Sequence, residues 1–238
     1  MAVQIHYEIA AMIFMLAATL VFSHQRHLRV YRSSLFFWLM LLGVATAVCD
    51  VFCGIVMYHS VPGWLGIIVQ SAFLIMSMVY SVIYSLYAME LLHRLDYIYV
   101  HRVLWCIPFV IGITAIVTTP FTGLLYHFDA NGMFYKNGWY YLVAGICIVY
   151  ILVPLLLMQK VSFVSRRIKK WIVAIPVAVV MAKIFEYTVF PNFLFAYAVN
   201  SVMVFCCYLF LQNSDYYMDE VTGFFKMHGF EETVREKM

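Results

Sequence analysis

Charge is the scarcest commodity in this 238-residue chain: Asp, Glu, Lys and Arg together make 11% of it, while hydrophobic residues make 65%. Soluble domains carry about 25% charged and about 45–50% apolar residues, so a water-soluble globule of this size has no way to hide the surplus. Mean hydropathy is +0.90. A soluble enzyme and a disordered tail are excluded. Glycine and proline are also few, 11 and 6 residues, too few for a low-complexity chain. The six cysteines lie in apolar stretches, and none forms a CxxC pair. That excludes a secreted disulfide scaffold and reads as packing or lipid-facing thiols. No Lys or Arg precedes Arg26, so the first apolar run lacks the basic leader of a signal peptide. No internal repeat stands out, which weighs against transporters built from repeated halves.

What is present is a series of long apolar runs. A membrane span needs about 20 of them in a row. Seven stretches qualify: Ile5–Ser23, Ser34–Tyr58, Gly63–Leu92, Val103–Thr118, Trp139–Met158, Lys170–Phe190 and Asn192–Gln212. Ten Lys and Arg lie in or beside the odd-numbered loops, and one, Lys136, lies in the even-numbered loops. Positive loops stay in the cytoplasm. The expected fold is therefore an all-α membrane protein, a seven-transmembrane helix bundle with its N-terminus outside and its C-terminus cytoplasmic. Pro108, Pro154 and Pro176 each remove one ladder hydrogen bond and predict kinks.

The one sizeable outer segment, Thr119–Gly138, contains Asn131-Gly132 between apolar flanks. Both residues tolerate positive φ, which predicts a short extracellular β-hairpin pairing Leu124–Phe128 with Met133–Lys136 between spans four and five. It is either a plain connector or a lid over a pocket.

Ionisable side chains are costly inside a span and usually face the bundle interior. At 1.5 Å per residue, Asp50 and Asn200 lie about 12 Å below the outer surface and Gln70 about 10 Å. Lys183 and Glu186 lie at about 10 and 6 Å, three residues apart on one helix face. Glu8 joins them from the start of span one. One Lys cannot fully neutralise two carboxylates in low dielectric, so Asp50 is either protonated or balanced by a third group or a ligand. Glu8, Asp50, Gln70, Tyr84, Lys183, Glu186 and Asn200 form the candidate ligand site for a small polar or cationic molecule. An internal structural network is the competing reading, and a proton or ion path a third. Span three adds Ser77, Ser81 and Ser85, a small-residue face for helix contact, beside Tyr80, Tyr84 and Tyr87. A retinal-type chromophore is disfavoured, because the obvious carboxylate partner of Lys183 shares its helix. No metal site and no cofactor are expected, and no nucleic-acid partner.

Beyond the last span runs Asp219-Glu220-Val221-Thr222-Gly223-Phe224-Phe225-Lys226-Met227-His228-Gly229-Phe230. It resembles the opening of GGDEF (diguanylate cyclase) domains, D-x-L-T-G-L-x-N-R-R-x-F, at Asp219, Thr222, Gly223 and Phe230, with Lys226, Met227 and His228 in place of Asn-Arg-Arg. His6-Tyr7-Glu8, the outer Pro120–Leu125 with Asp129–Gly132, and Leu211-Gln212-Asn213 resemble the seven-span sensor regions ahead of bacterial GGDEF and histidine-kinase domains. The resemblance implies a sensor domain at 1–212 and, at 213–238, a linker with the truncated start of an output domain. It further implies signal coupling through Gln212, Asn213, Asp219, Thr222 and Gly223, a homodimer, and the bacterial cytoplasmic (inner) membrane. The Gly-Gly-Asp/Glu-Glu-Phe loop is absent, so this chain is expected not to be an enzyme or make cyclic di-GMP. A small transporter or channel, or an interaction subunit that binds no ligand, are the alternatives.

Overall fold

The computed structural model describes residues 6–24, 34–58, 61–92, 95–129, 132–158, 166–188 and 196–207. Eight helices occupy most of them: α1 (His6–His24), α2 (Ser34–Tyr58), α3 (Gly63–Leu91), α4 (Leu95–Val100), α5 (Arg102–Thr122), α6 (Tyr141–Met158), α7 (Arg166–Thr188) and α8 (Ala196–Cys207). Among the described residues four segments are long and apolar enough to cross a membrane: Ser34–Val56, Gly63–Leu91, Arg102–Thr122 and Gly138–Met158. Ile9–Val21 and Ile172–Ala182 are shorter apolar helical runs.

Helices α1, α2, α3, α6, α7 and α8 pack in that cyclic order, with α8 closing back on α1. Helix α5 stands outside this ring against α3 and α6. Gly112 lets it approach closely: a Cβ there would sit 2.4 Å from the Met78 methyl. One core lobe gathers Met15, Phe36, Leu39, Met40, Tyr84, Tyr87, Ile175 and Val204. The other joins α3, α5, α6 and the hairpin through Leu74, Met78, Ile116, Leu125, Tyr126 and Val143. Helix α3 is the member common to both, and at 29 residues it is about 43 Å long.

Several boundaries differ from those read off the hydropathy, α7 for one beginning at Arg166, four residues before Lys170. A short helix, α4, occupies part of the charged connection after α3, with Asp96 in its first turn where the helix dipole favours an anion. Helix α5 continues four residues past Thr118. The hydroxyls of Thr118, Thr119 and Thr122 each bond the carbonyl four residues back. Gly123, in the left-handed region at φ 63°, ends the helix, with its N–H donating to the Thr119 carbonyl at 2.8 Å.

The segment that follows forms two antiparallel strands, β1 (Tyr126–Phe128) and β2 (Phe134–Lys136), with Tyr126 opposite Lys136 and Phe128 opposite Phe134. The pairing is shorter than the sequence pattern predicts. Asp129 closes the turn: its carboxylate accepts from the Met133 N–H at 2.8 Å and its N–H donates to the Met133 carbonyl at 3.0 Å. Gly132 takes φ 76°. Asn131 lies outside the described residues. A single 3-10 turn, Gly138–Tyr140, leads into α6.

Candidate functional site

Helix α3 carries the polar side chains that tie the molecule together. Near its N-terminal end the Gln70 amide is fully buried, and its Nε2 donates to the Tyr140 hydroxyl at 2.9 Å. Its Oε1 has no hydrogen-bond partner among the described residues. One residue on, the Ser71 and Tyr126 hydroxyls are 2.6 Å apart, and Tyr126 donates onward to the Ile67 carbonyl at 3.2 Å. The Tyr126 ring is nearly inaccessible, and burial pushes its phenol up from the usual tyrosine value; the Ser71 hydrogen bond pulls the other way. Phe128 lies over Gly66, where a Cβ would come within 2.4 Å of its ring. Phe134 bridges Tyr126 and Tyr140 at centroid distances of 5.7 and 6.1 Å. Lys136 Nζ stands 5.0 Å from the Tyr140 ring centre, a cation–π contact beside the hairpin. The hairpin is thus an aromatic cap over the first turns of α3, anchored by the buried Leu125 and Tyr126 side chains, by the Ser71–Tyr126 hydroxyl pair and by Phe128 on Gly66.

Asp50 is 5% exposed on α2. One turn further on, the Cys53 thiol meets the Val69 carbonyl at 3.7 Å, which places this part of α2 beside Gln70 on α3. Asn200 is buried on α8, and its Oδ1 accepts from the Tyr80 hydroxyl at 2.9 Å. The Tyr84 hydroxyl donates to the Ile172 carbonyl at 2.8 Å. Fourteen residues separate Gln70 from Tyr84, about 21 Å along the helix. The polar residues assigned to one pocket are therefore spread down α3, with Gln70 under the cap and Tyr84 in the core lobe shared with Met15, Phe36, Ile175 and Val204. The side chains of Glu8, Lys183 and Glu186 lie outside the described residues, as do Gln212, Asn213, Asp219, Thr222 and Gly223. Among the described residues no group of three His, Cys, Asp or Glu is placed to hold a metal.

Two clefts of about 430 and 510 Å³ open along α5. Their walls are apolar, around Val110, Ile111, Leu124 and Leu142 in one and Val103 and Ile107 in the other, and neither includes a candidate ligand residue.

Sequence reasoning expected the Tyr126 ring to pack but passed over its hydroxyl, Tyr140, Tyr150 and the individual duties of Tyr84 and Ser85. A signal for the last two existed. A proline at position i leaves the carbonyl at i−4 without its donor. Pro154 and Pro176 therefore release the carbonyls of Tyr150 and Ile172. The acceptors of Ser85 Oγ (2.6 Å) and Tyr84 OH (2.8 Å) are those two carbonyls. Adjacent residues of α3 thus satisfy α6 and α7, as backbone freed inside a membrane requires.

The Gln70 pairing makes an uneven pair of substitutions. Removing one partner of a buried hydrogen bond costs about 1–3 kcal/mol, whereas replacing both partners by apolar groups of like shape is near neutral. Tyr140→Phe leaves both ends of the Gln70 amide unsatisfied and is expected to lower stability by about 1–2 kcal/mol. Gln70→Met combined with Tyr140→Phe replaces both partners together and is expected to change it by less than about 0.5 kcal/mol. Unfolding of both variants in lipid nanodiscs checks the order; equal losses would disprove it.

No protein-family model matches the chain, and no curated protein and no solved structure is significantly similar to it.

Proposed function

We propose that the chain is the membrane-embedded sensor module of a signalling protein. It spans the bilayer seven times, with α1, α7 and α8 joining the four long apolar segments. The N-terminus is outside, the hairpin is extracellular, and the charged connections that hold Arg26, Arg94 and Arg167 are cytoplasmic. A small polar or cationic ligand enters beneath the hairpin and meets Gln70 and Asp50, with Glu8, Lys183, Glu186 and Asn200 completing the outer polar layer. Helix α8 passes the change to the segment around Gln212 and Asn213. That segment leads into a diguanylate-cyclase-type output domain beginning near Asp219, in a homodimer in the bacterial inner membrane. The 238 residues themselves carry no catalytic role in this reading.

The observation that carries the reading is Gln70: a fully buried amide whose Oε1 accepts no hydrogen bond among the described residues, lying under the hairpin that caps the first turns of α3. Buried polar atoms are nearly always satisfied, so an acceptor left open under a removable cap suits a ligand's donor. The test uses the native gene product in its own membranes. Its intact mass is expected to exceed 27.7 kDa by at least a domain. Asp50→Asn, Lys183→Met or Glu186→Gln is expected to change cellular cyclic di-GMP by about five-fold or more, the lower range of a typical coupling between sites. If all three leave output unchanged, the pocket is abandoned. Uptake of solute into vesicles would instead favour a transporter.

A further inference from the structure

Helix α5 holds Pro108, which has no N–H to give the Leu104 carbonyl. One residue on, the Phe109 N–H donates to the Tyr150 hydroxyl of α6 at 3.1 Å. The same hydroxyl donates to the Trp105 carbonyl at 2.6 Å. Trp105 and Phe109 are the pair that an unbroken helix joins directly, N–H of i to C=O of i−4. A foreign hydroxyl therefore stands in the ladder of α5, one of the few recognised causes of a sharp helix bend.

Tyr150 is held from its other end as well. Its carbonyl, released by Pro154, accepts from Ser85 Oγ. One residue thus connects α3, α6 and α5, with its backbone turned to the first and its phenol to the last. It is 2% exposed. Its ring meets the Trp105 indole edge-on, with centroids 5.3 Å apart. The Trp105 Nε1–H is buried without a hydrogen-bond partner among the described residues, a standing cost of this arrangement.

From this geometry we infer that Tyr150 is the pin of a two-state hinge in α5. With the hydroxyl inserted, α5 is bent at Pro108. With it withdrawn, the Phe109 N–H closes on the Trp105 carbonyl and the phenol turns one residue to the Leu104 carbonyl, which Pro108 leaves without a donor. The withdrawn form gives the Phe109 N–H and both the Trp105 and Leu104 carbonyls a partner, whereas the inserted form serves the Phe109 N–H and the Trp105 carbonyl through the phenol and leaves the Leu104 carbonyl without its ladder donor. The arm of α5 before Pro108 swings, and the apolar cleft around Val103, Ile107 and Val110 changes shape with it. Because α5 packs outside the ring, it moves without breaking the ring itself.

The experiment places spin labels at Val103→Cys and Trp38→Cys, both exposed and at the end of the bundle where α2 begins, with the native cysteines replaced by alanine and the full chain in lipid nanodiscs. Five residues from Pro108 is about 7.5 Å, so a change of about 20° in bend moves the label by about 2–3 Å. Tyr150→Phe and Pro108→Ala are each expected to shift the inter-label distance by that amount in the same direction. The double variant is expected to shift it no further. An unchanged distance in Tyr150→Phe, opposite shifts, or shifts that add would overturn the pin. Pro108→Ala restores a ladder donor and favours the helix, so it reports on the hinge even where Tyr150→Phe fails to fold; no shift in that variant overturns the hinge.

Discussion

Replacing Ser85 with alanine is expected to destabilise the protein by about 1–2 kcal/mol, and adding Pro154→Ala to the same chain is expected to return most of that loss. A buried carbonyl left unsatisfied costs about 1–3 kcal/mol in water-soluble proteins, while measured side-chain hydrogen bonds between membrane helices average about 0.6 and reach about 1.7 kcal/mol. The Ser85 contact belongs at the upper end. Its hydroxyl is 2.6 Å from the Tyr150 carbonyl, both residues are buried, and the ladder donor that would otherwise serve that carbonyl is missing because residue 154 is proline. Alanine at 154 supplies the missing N–H, and the hydroxyl becomes dispensable. The same logic joins Tyr84→Phe to Pro176→Ala through the Ile172 carbonyl. The rescue must be specific: Pro176→Ala does nothing for Ser85→Ala, and Pro154→Ala does nothing for Tyr84→Phe. Four double-mutant cycles, read by unfolding in bicelles or nanodiscs, decide it. If the matched pairs are additive within about 0.3–0.5 kcal/mol, the usual scatter for independent sites, the proline carbonyls are not what these hydroxyls serve.

Those pairings also show what could be read in advance. The apolar runs locate the helices because hydropathy is a local property, and Ser34–Tyr58 is both the predicted span and the observed helix. The positive φ at Gly132 follows from Asn-Gly chemistry for the same reason. The carbonyls freed by proline follow from counting back four residues. Which hydroxyl finds each carbonyl does not, because Ser85 and Tyr150 are 65 residues apart. The sequence places Gln70 and Asn200 at similar depth, yet their partners, Tyr140 and Tyr80, are 70 and 120 residues away. Depth along a helix says how far in a side chain sits and nothing of the azimuth at which it faces a neighbour. The exterior position of α5 was illegible for a related reason. Its apolar residues run all round, as they do in a helix that meets lipid on one side and protein on the other.

Gly132→Ala is expected to lift the hairpin from the bundle, at a cost of about 2–5 kcal/mol, the sum of a left-handed penalty of about 1–2 and an overpacking term of about 1–3. A Cβ on Gly132 would lie 2.2 Å from the carbonyl oxygen of Val61 and 3.2 Å from its carbon and nitrogen. Backbone on the other side of that contact cannot give way. Val61 precedes Pro62, whose carbonyl accepts the N–H groups of Leu65 and Gly66 and so anchors the first turn of α3. The hairpin must move instead. Phe128 then leaves Gly66, Tyr126 leaves Ser71 and Ile67, and water reaches Gln70. Two glycines in the same segment calibrate the effect. Gly123 has φ 63° but only ordinary contacts at 3.9 Å, so Gly123→Ala carries the backbone penalty alone, about 1–2 kcal/mol. A Cβ on Gly138 meets nothing within 4 Å, and Gly138→Ala is expected to be near neutral. Hydrogen exchange over residues 123–137, with melting in nanodiscs, should rank the three as 132, then 123, then 138. Protection at the hairpin that survives Gly132→Ala would mean the cap is held elsewhere. If the cap is the lid of a sensor, the same variant also switches output without any ligand, because it opens what the ligand would otherwise have to open.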